Sequence, residues 1–168
     1  MEDLLKMGGE SLLVDSLVTL SSSSKAPSSL LAASIVSVST LYKNALSISD
    51  LSLCEKALNV LMDLSSSSDE SLQRKSFFGI NAIVSHFKPM AERFIEQNGI
   101  RLVEQSILSE DVERKKKALL LYRTLLAQFP TQPALSTANV CSQAMQDLTS
   151  VEWESQYALV ESYFKLLQ

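Results

Sequence analysis

The sequence predicts an all-α chain, an armadillo/HEAT-like right-handed α-solenoid of about three to four stacked repeats. Three observations carry this expectation. Apolar residues recur at steps of three and four along the chain, and strand-like alternation persists nowhere. Similar stretches return roughly every forty residues, the period of helical solenoids. Leu, Ala and Ser dominate while aromatics make up only 7% of the 168 residues, which suits closely packed helices better than a sheet.

The elements follow in chain order. Leu4–Met7 reads as the end of a repeat unit. Gly8-Gly9 interrupts it, and Glu10–Leu20 resumes as a helix. Ser21–Ser24 and Ser65–Ser68 are inter-helix loops by composition. Glu70–His86 forms a long helix with Leu72, Ser76, Gly79, Ile80, Ile83 and Phe87 on one stripe, widened by Phe77, Ala82 and Val84. Pro89–Gln97 is a short helix with proline in its first turn, where the missing N–H costs nothing. Asn98-Gly99 turns the chain, with Gly99 suited to the left-handed backbone that ends a helix. Ile100–Leu108 follows as a third helix. In Glu113–Phe129, Ala118, Leu121, Leu125 and Phe129 form the apolar stripe, while Arg114, Lys115 and Arg123 lie off it. Pro130–Pro133 ends that helix, and Glu152–Leu167 reads as the first helix of a further unit. The stretches opened by Ala33, Ser76, Ala118 and Ala158 are ASIVSVSTL, SFFGINAIV, ALLLYRTLL and ALVESYFKL. Each begins with a small residue, as expected where helices of adjacent repeats approach closely. Residues 1–168 are thus expected to form a single repeat domain that begins and ends inside the repeat pattern, as a fragment or one domain of a longer chain would; the alternative is that its ends are capping elements.

Bulk properties restrict function. The 46% hydrophobic and 20% charged composition is that of a globular chain. The formal charge of −4 argues against nucleic acid, whose binders usually carry a basic face. The one basic run, Arg114–Lys117, reads as a solvated helix face. Cys54 and Cys141 sit among apolar or small residues and read as buried free thiols. Absence of a long apolar run implies no membrane insertion.

The sequence shows no constellation for catalysis. His86 is the sole histidine and lies at a helix end, where it meets the negative end of the helix dipole. One histidine and two distant cysteines do not make a zinc site. No phosphate-cradling glycine loop is present, so no cofactor is expected. Asp69-Glu70 and Glu110-Asp111 stand at helix starts and read as caps. The expectation is a protein without enzyme activity.

The segment Arg74–Leu108, RKSFFGINAIVSHFKPMAERFIEQNGIRLVEQSIL, resembles the armadillo-repeat nucleotide-exchange factors of the 70-kDa heat-shock chaperones, the Hsp70-binding protein and BiP exchange factor family. The turn Phe94-Ile95-Glu96-Gln97-Asn98-Gly99 matches that family's short helix ending before glycine, and Lys115–Leu126 resembles its next repeat. The resemblance covers about a third of the chain, and the rest follows by repeat rhythm. It implies a co-chaperone that grips one lobe of the chaperone's nucleotide-binding domain and promotes ADP release. It also implies a cytoplasmic location, or the endoplasmic reticulum lumen for a parent chain with a signal peptide.

In such a repeat the third helices line the concave side, which places the candidate partner-binding residues there. They are Glu55 and Asn59, Arg101 and Gln105, and Asn139 and Gln143, with Glu10 and Asp15 extending the row. The alternative is a general adaptor that binds a peptide or folded partner on the same face. Trp153, the only tryptophan, opens the last helix rather than lying in a third helix, which weighs against a receptor built on tryptophan platforms.

Overall fold

The computed structural model describes residues 8–45, 48, 50–132 and 135, and the fold is all-α. Seven helices are present among the described residues, and no strand. They are α1 (Gly9–Ser22), α2 (Ser28–Asn44), α3 (Leu51–Leu64), α4 (Glu70–His86), α5 (Lys88–Glu96), α6 (Gly99–Ile107) and α7 (Val112–Gln128). The expected segments Leu4–Met7 and Glu152–Leu167, and the stretch opened by Ala158, lie outside the described residues.

The helices repeat in length and spacing. α2, α4 and α7 are each 17 residues long and open at residues 28, 70 and 112, a spacing of 42 residues each time. α1 and α3 are each 14 residues long and open at residues 9 and 51, again 42 apart. This fixes the register of the repeat. Ile35, Phe77 and Leu119 are equivalent and all buried, as are Val38, Ile80 and Tyr122, and Leu41, Ile83 and Leu125. It also corrects the first repeat by one residue. Ser34, not Ala33, is the equivalent of Ser76 and Ala118, and Ala33 is exposed. Ala32, Ala33 and Ser34 are all small, so size alone could not choose among them.

Local chemistry sets the helix starts. Asp50, Asp69 and Asp111 cap α3, α4 and α7, each carboxylate accepting from the backbone N–H groups two and three residues on. Two of the caps are braced alike. The Asp69 N–H donates to Ser67 Oγ and the Asp111 N–H to Ser109 Oγ, both at 3.1 Å. Of the two predicted acidic pairs, Asp69 and Asp111 are therefore the capping members. Gly8 precedes α1 with φ 77°, a left-handed conformation that glycine adopts without steric cost. The turn between α5 and α6 differs from expectation. Asn98, not Gly99, takes the left-handed conformation, with φ 64°, and Gly99 opens α6. Asparagine tolerates this region because its short polar side chain can bond locally.

The chain divides into two compact units, Met1–Phe94 and Ile95–Gln168. In the first, α1 packs on α2 and α3, and α4 packs on α2 and α3, so pair α1/α2 stacks on pair α3/α4. The core contains Val14, Leu17, Ile35, Val38, Leu58, Leu61, Ile80 and Ile83, all fully buried. Burying one such side chain is worth about 1.5–3 kcal/mol, which outweighs the few tenths that separate helix propensities. The whole predicted α4 stripe is buried. The pairs meet closely at Gly79, where an added Cβ would lie 2.5 Å from Ser39 Oγ and 2.9 Å from Leu61 Cδ1.

In the second unit α6 packs on α7. Arg114 Nε donates to Ser106 Oγ at 3.1 Å and links the two. The basic run at the start of α7 is therefore not a solvated face. Lys115 is buried, Arg114 is half-buried against Ser106, and Lys116 pairs with Glu113 at 2.9 Å. The long aliphatic stems of Lys and Arg let a basic residue cover apolar surface in this way.

Ser76 presents an anomaly that can be measured. Its hydroxyl is fully buried and has no hydrogen-bond partner, whereas alanine stands at the equivalent Ala118. Removing an unsatisfied buried hydroxyl relieves its desolvation cost. Ser76→Ala should be stabilising by roughly 1 kcal/mol in urea unfolding. A loss of stability of that size would show that the hydroxyl has a partner.

Candidate functional site

The predicted partner-binding residues fall on two helices of different units. Glu55 and Asn59 are one turn apart on α3, and Arg101 and Gln105 are one turn apart on α6. Four-residue spacing places each pair on one helix face. Asn59, Arg101 and Gln105 are exposed. Glu55 is half-buried, and its carboxylate pairs loosely with Arg93 at 3.9 Å. An ion pair this open to solvent adds at most about 1 kcal/mol, so it orients Glu55 more than it stabilises the unit. Asn139 and Gln143 lie outside the described residues.

The extension of the row through Glu10 and Asp15 is corrected in part. Asp15 is exposed and accepts from Ser11 Oγ at 2.9 Å. Glu10 is only 3% exposed. Its Oε1 accepts a hydrogen bond from the Tyr42 hydroxyl at 3.0 Å. Tyr42 in turn meets the Cys54 thiol, and its ring stands edge-on to Phe87 with centroids 6.3 Å apart. Glu10 shares the inward face of α1 with Val14 and Leu17 at helical spacing, so it points away from solvent. Sequence reasoning missed this cluster because its members lie on three helices and no local pattern links Glu10 to Tyr42.

Electrostatics make the cluster structural rather than reactive. Burial, then the charges of Cys54 and Glu10, push the Tyr42 hydroxyl above its ordinary range. Burial chiefly pushes the Cys54 thiol from 9.0 up to about 12, against a lowering contribution from its hydrogen bond with Tyr42. The thiolate is the nucleophile, so a thiol held neutral is inert at physiological pH. Both groups bind their protons more tightly folded than unfolded. Their contribution to stability is therefore complete below about pH 9 and is lost as pH rises from there toward 12. Urea titrations should show stability falling through that window, with Cys54→Ala removing the earliest part of the fall. An unchanged midpoint between pH 8.5 and 10.5 would contradict the burial of both groups.

His86 lies at the C-terminus of α4, exposed, with Nδ1 2.9 Å from the Ala82 carbonyl oxygen. Among the described residues, no three His, Cys, Asp or Glu side chains cluster as metal ligands would. No helix among them is long and apolar enough to cross a membrane.

Another exposed apolar surface of the first unit lies elsewhere. Leu12 on α1 and Leu30 on α2 are 70% and 51% exposed and line one groove with Asp15, Ser16, Thr19 and Ser37. A second groove between α2 and α4 joins it at Ala33 and Ser37 and is lined also by Val36 and Lys75.

No protein-family model matches the chain, and no curated protein matches its sequence. Among solved structures it is similar to an engineered protein crystallised by the Northeast Structural Genomics Consortium, with a TM-score of 0.69 at 15% identity. The match covers 99% of this chain and 65% of that protein, so the chain spans less than two thirds of its structural neighbour. At this identity the likeness concerns the fold alone.

Proposed function

We propose that this chain is a protein-binding module without enzyme activity, built as a right-handed armadillo/HEAT-like α-solenoid. The observation that carries the reading is the recurrence of equal helices at a 42-residue interval. Repeats of this kind act through extended surfaces rather than through a chemical centre. The exposed residues Asn59, Arg101 and Gln105, and the half-buried Glu55, are the positions proposed to meet the partner.

The specific partner proposed is the nucleotide-binding domain of a 70-kDa heat-shock chaperone. This reading is supported by the segment Arg74–Leu108 and by its succession of long helix α4, short helix α5, turn at Asn98 and helix α6. The mechanism asks nothing of a catalytic residue. A rigid surface that binds the opened nucleotide-binding domain more tightly than the closed one shifts the population toward the open form, and ADP leaves faster.

The test is release of a fluorescent ADP analogue from an isolated chaperone nucleotide-binding domain. The chain should accelerate release in a saturable way, and Arg101→Glu should weaken the effect about tenfold or more if the contact is charge-assisted. No binding at tens of micromolar, a range that still reports weak protein contacts, would remove the chaperone reading. The protein-binding reading would then be pursued with a peptide array.

A further inference from the structure

The 42-residue register shows what kind of element covers one face of a helix pair. Cys54 on α3 and Gly79 on α4 are both buried, and both lie under α2. Tyr42 of α2 meets the Cys54 thiol, and a Cβ added at Gly79 would fall 2.5 Å from Ser39 of α2. One helix therefore seals that face, with a small residue and a large one three positions apart on its seated side. The equivalent positions 42 residues earlier are Leu12 on α1 and Ser37 on α2, and both line the groove between those helices. Both are exposed, as is Leu30, whose equivalent Leu72 is buried. The groove presents apolar surface although three of its residues carry hydroxyls. Ser16 Oγ donates to the Leu12 carbonyl oxygen at 2.6 Å, Thr19 Oγ1 to that of Asp15 at 2.7 Å, and Ser37 Oγ to that of Ala33 at 3.0 Å. Each donor is satisfied within its own helix, so covering it leaves no donor unpaired. Apolar surface grouped in a groove marks a binding site, whereas singly scattered leucines do not.

We propose that the α1/α2 groove docks an amphipathic α-helix of a partner protein, laid across Leu12 and Ser37 as α2 lies across Cys54 and Gly79. Two features set the chemistry of that helix. Its seated stripe is apolar, with a small residue three positions before a large one, as at Ser39 and Tyr42. Its flank is basic, because Asp15 holds an exposed carboxylate on the groove with a neutral Ser11 hydroxyl 2.9 Å away. Ser37 in place of Gly79 sets the docked helix back by one small side chain. A second copy of this chain fits less well. Its own Ser39 and Tyr42 are already buried inside the first unit. A groove-to-groove dimer would place two Asp15 carboxylates in one interface, where like charges oppose association. The groove does not include Asn59, Arg101 or Gln105. The proposal rests on the helix-pair repeat and not on the chaperone reading, so the ADP-release assay can fail while this one stands.

The probe is a fluorescein-labelled, helix-stapled peptide with the sequence of Ser28–Asn44. It carries Ser39 and Tyr42 on its stripe and Lys43 as its single charged side chain. Added to the full chain, it should give a saturable rise in anisotropy with a Kd of roughly tens to hundreds of micromolar. Leu12→Lys with Leu30→Lys, both at exposed positions, should weaken binding at least about tenfold. Lysine and leucine are similar helix formers, so the thermal unfolding midpoint should stay within about 5 °C. Asp15→Lys should weaken binding about threefold or more. No saturable binding up to about 1 mM, or binding that these substitutions leave unchanged, would overturn the proposal. Sedimentation velocity tests the other occupant. Self-association of the unaltered chain that the leucine substitutions abolish would assign the groove to a second copy and end the partner-helix reading.

Discussion

Gly79→Leu should cost the first unit about 3 kcal/mol or more, enough to unfold a domain of ordinary stability at moderately raised temperature. The reason is distance. A Cβ at this position already meets Ser39 Oγ at 2.5 Å and Leu61 Cδ1 at 2.9 Å. Both atoms end short side chains, but both residues are fully buried and have little room to withdraw. Ser39 is also tied to the Ile35 carbonyl through its hydroxyl. Gly79→Ala separates the opposing effects. Helix propensity favours alanine by about 1 kcal/mol, and overpacking disfavours it by about 1–3 kcal/mol. The single variant should come out modestly destabilised. Adding Ser39→Ala removes the nearest obstacle, so the double variant should recover stability relative to Gly79→Ala. Thermal unfolding followed by circular dichroism measures all three. A Gly79→Leu protein as stable as the unaltered chain would mean that the helix pairs do not approach as closely as described.

Tyr42→Ala should be comparably damaging, at about 3–5 kcal/mol, because it empties a large, fully buried aromatic site. Tyr42→Phe isolates the hydroxyl. It keeps the edge-on contact with Phe87 and takes the donor from Glu10, with an expected cost of about 1–3 kcal/mol. Coupling should be visible in a cycle with Glu10→Gln. Glutamine retains an acceptor but not the charge, so the two substitutions together should cost less than the sum of the singles. Strict additivity would show that the Tyr42–Glu10 contact contributes nothing.

Much of this fold is legible in the sequence, because helices with one buried face announce themselves locally. The stripe from Leu72 to Phe87 predicts the buried side of α4, and Asp69 and Asp111 predict two helix starts, since capping depends on residues within one turn. The period of about forty sharpens to 42 only with coordinates. Letters such as Ala32, Ala33 and Ser34 are interchangeable in a sequence, while the helix starts show that Ser34 is the equivalent of Ser76 and Ala118. Lys115 misleads for a related reason: its charge says surface, but its four-carbon stem can lie in a packed interface. Glu10 is the clearest loss. Its burial depends on Tyr42 and Cys54 arriving from two other helices, which no local pattern encodes. Of the candidate binding residues, Asn59, Arg101 and Gln105 are exposed as expected, because polar residues on an amphipathic helix face water by default. What they touch is a property of another molecule.

The equal spans of α2, α4 and α7 bear on how such a chain can change length. A duplication that copies one whole 42-residue period would return every copied helix in phase, with its apolar stripe aimed at a neighbour and its aspartate at the first turn. A duplication of any other extent would rotate the following stripes out of alignment. Growth by unequal recombination is therefore quantised in this architecture. The unit of inheritance is set by the distance between the caps of equivalent helices, as from Asp69 to Asp111.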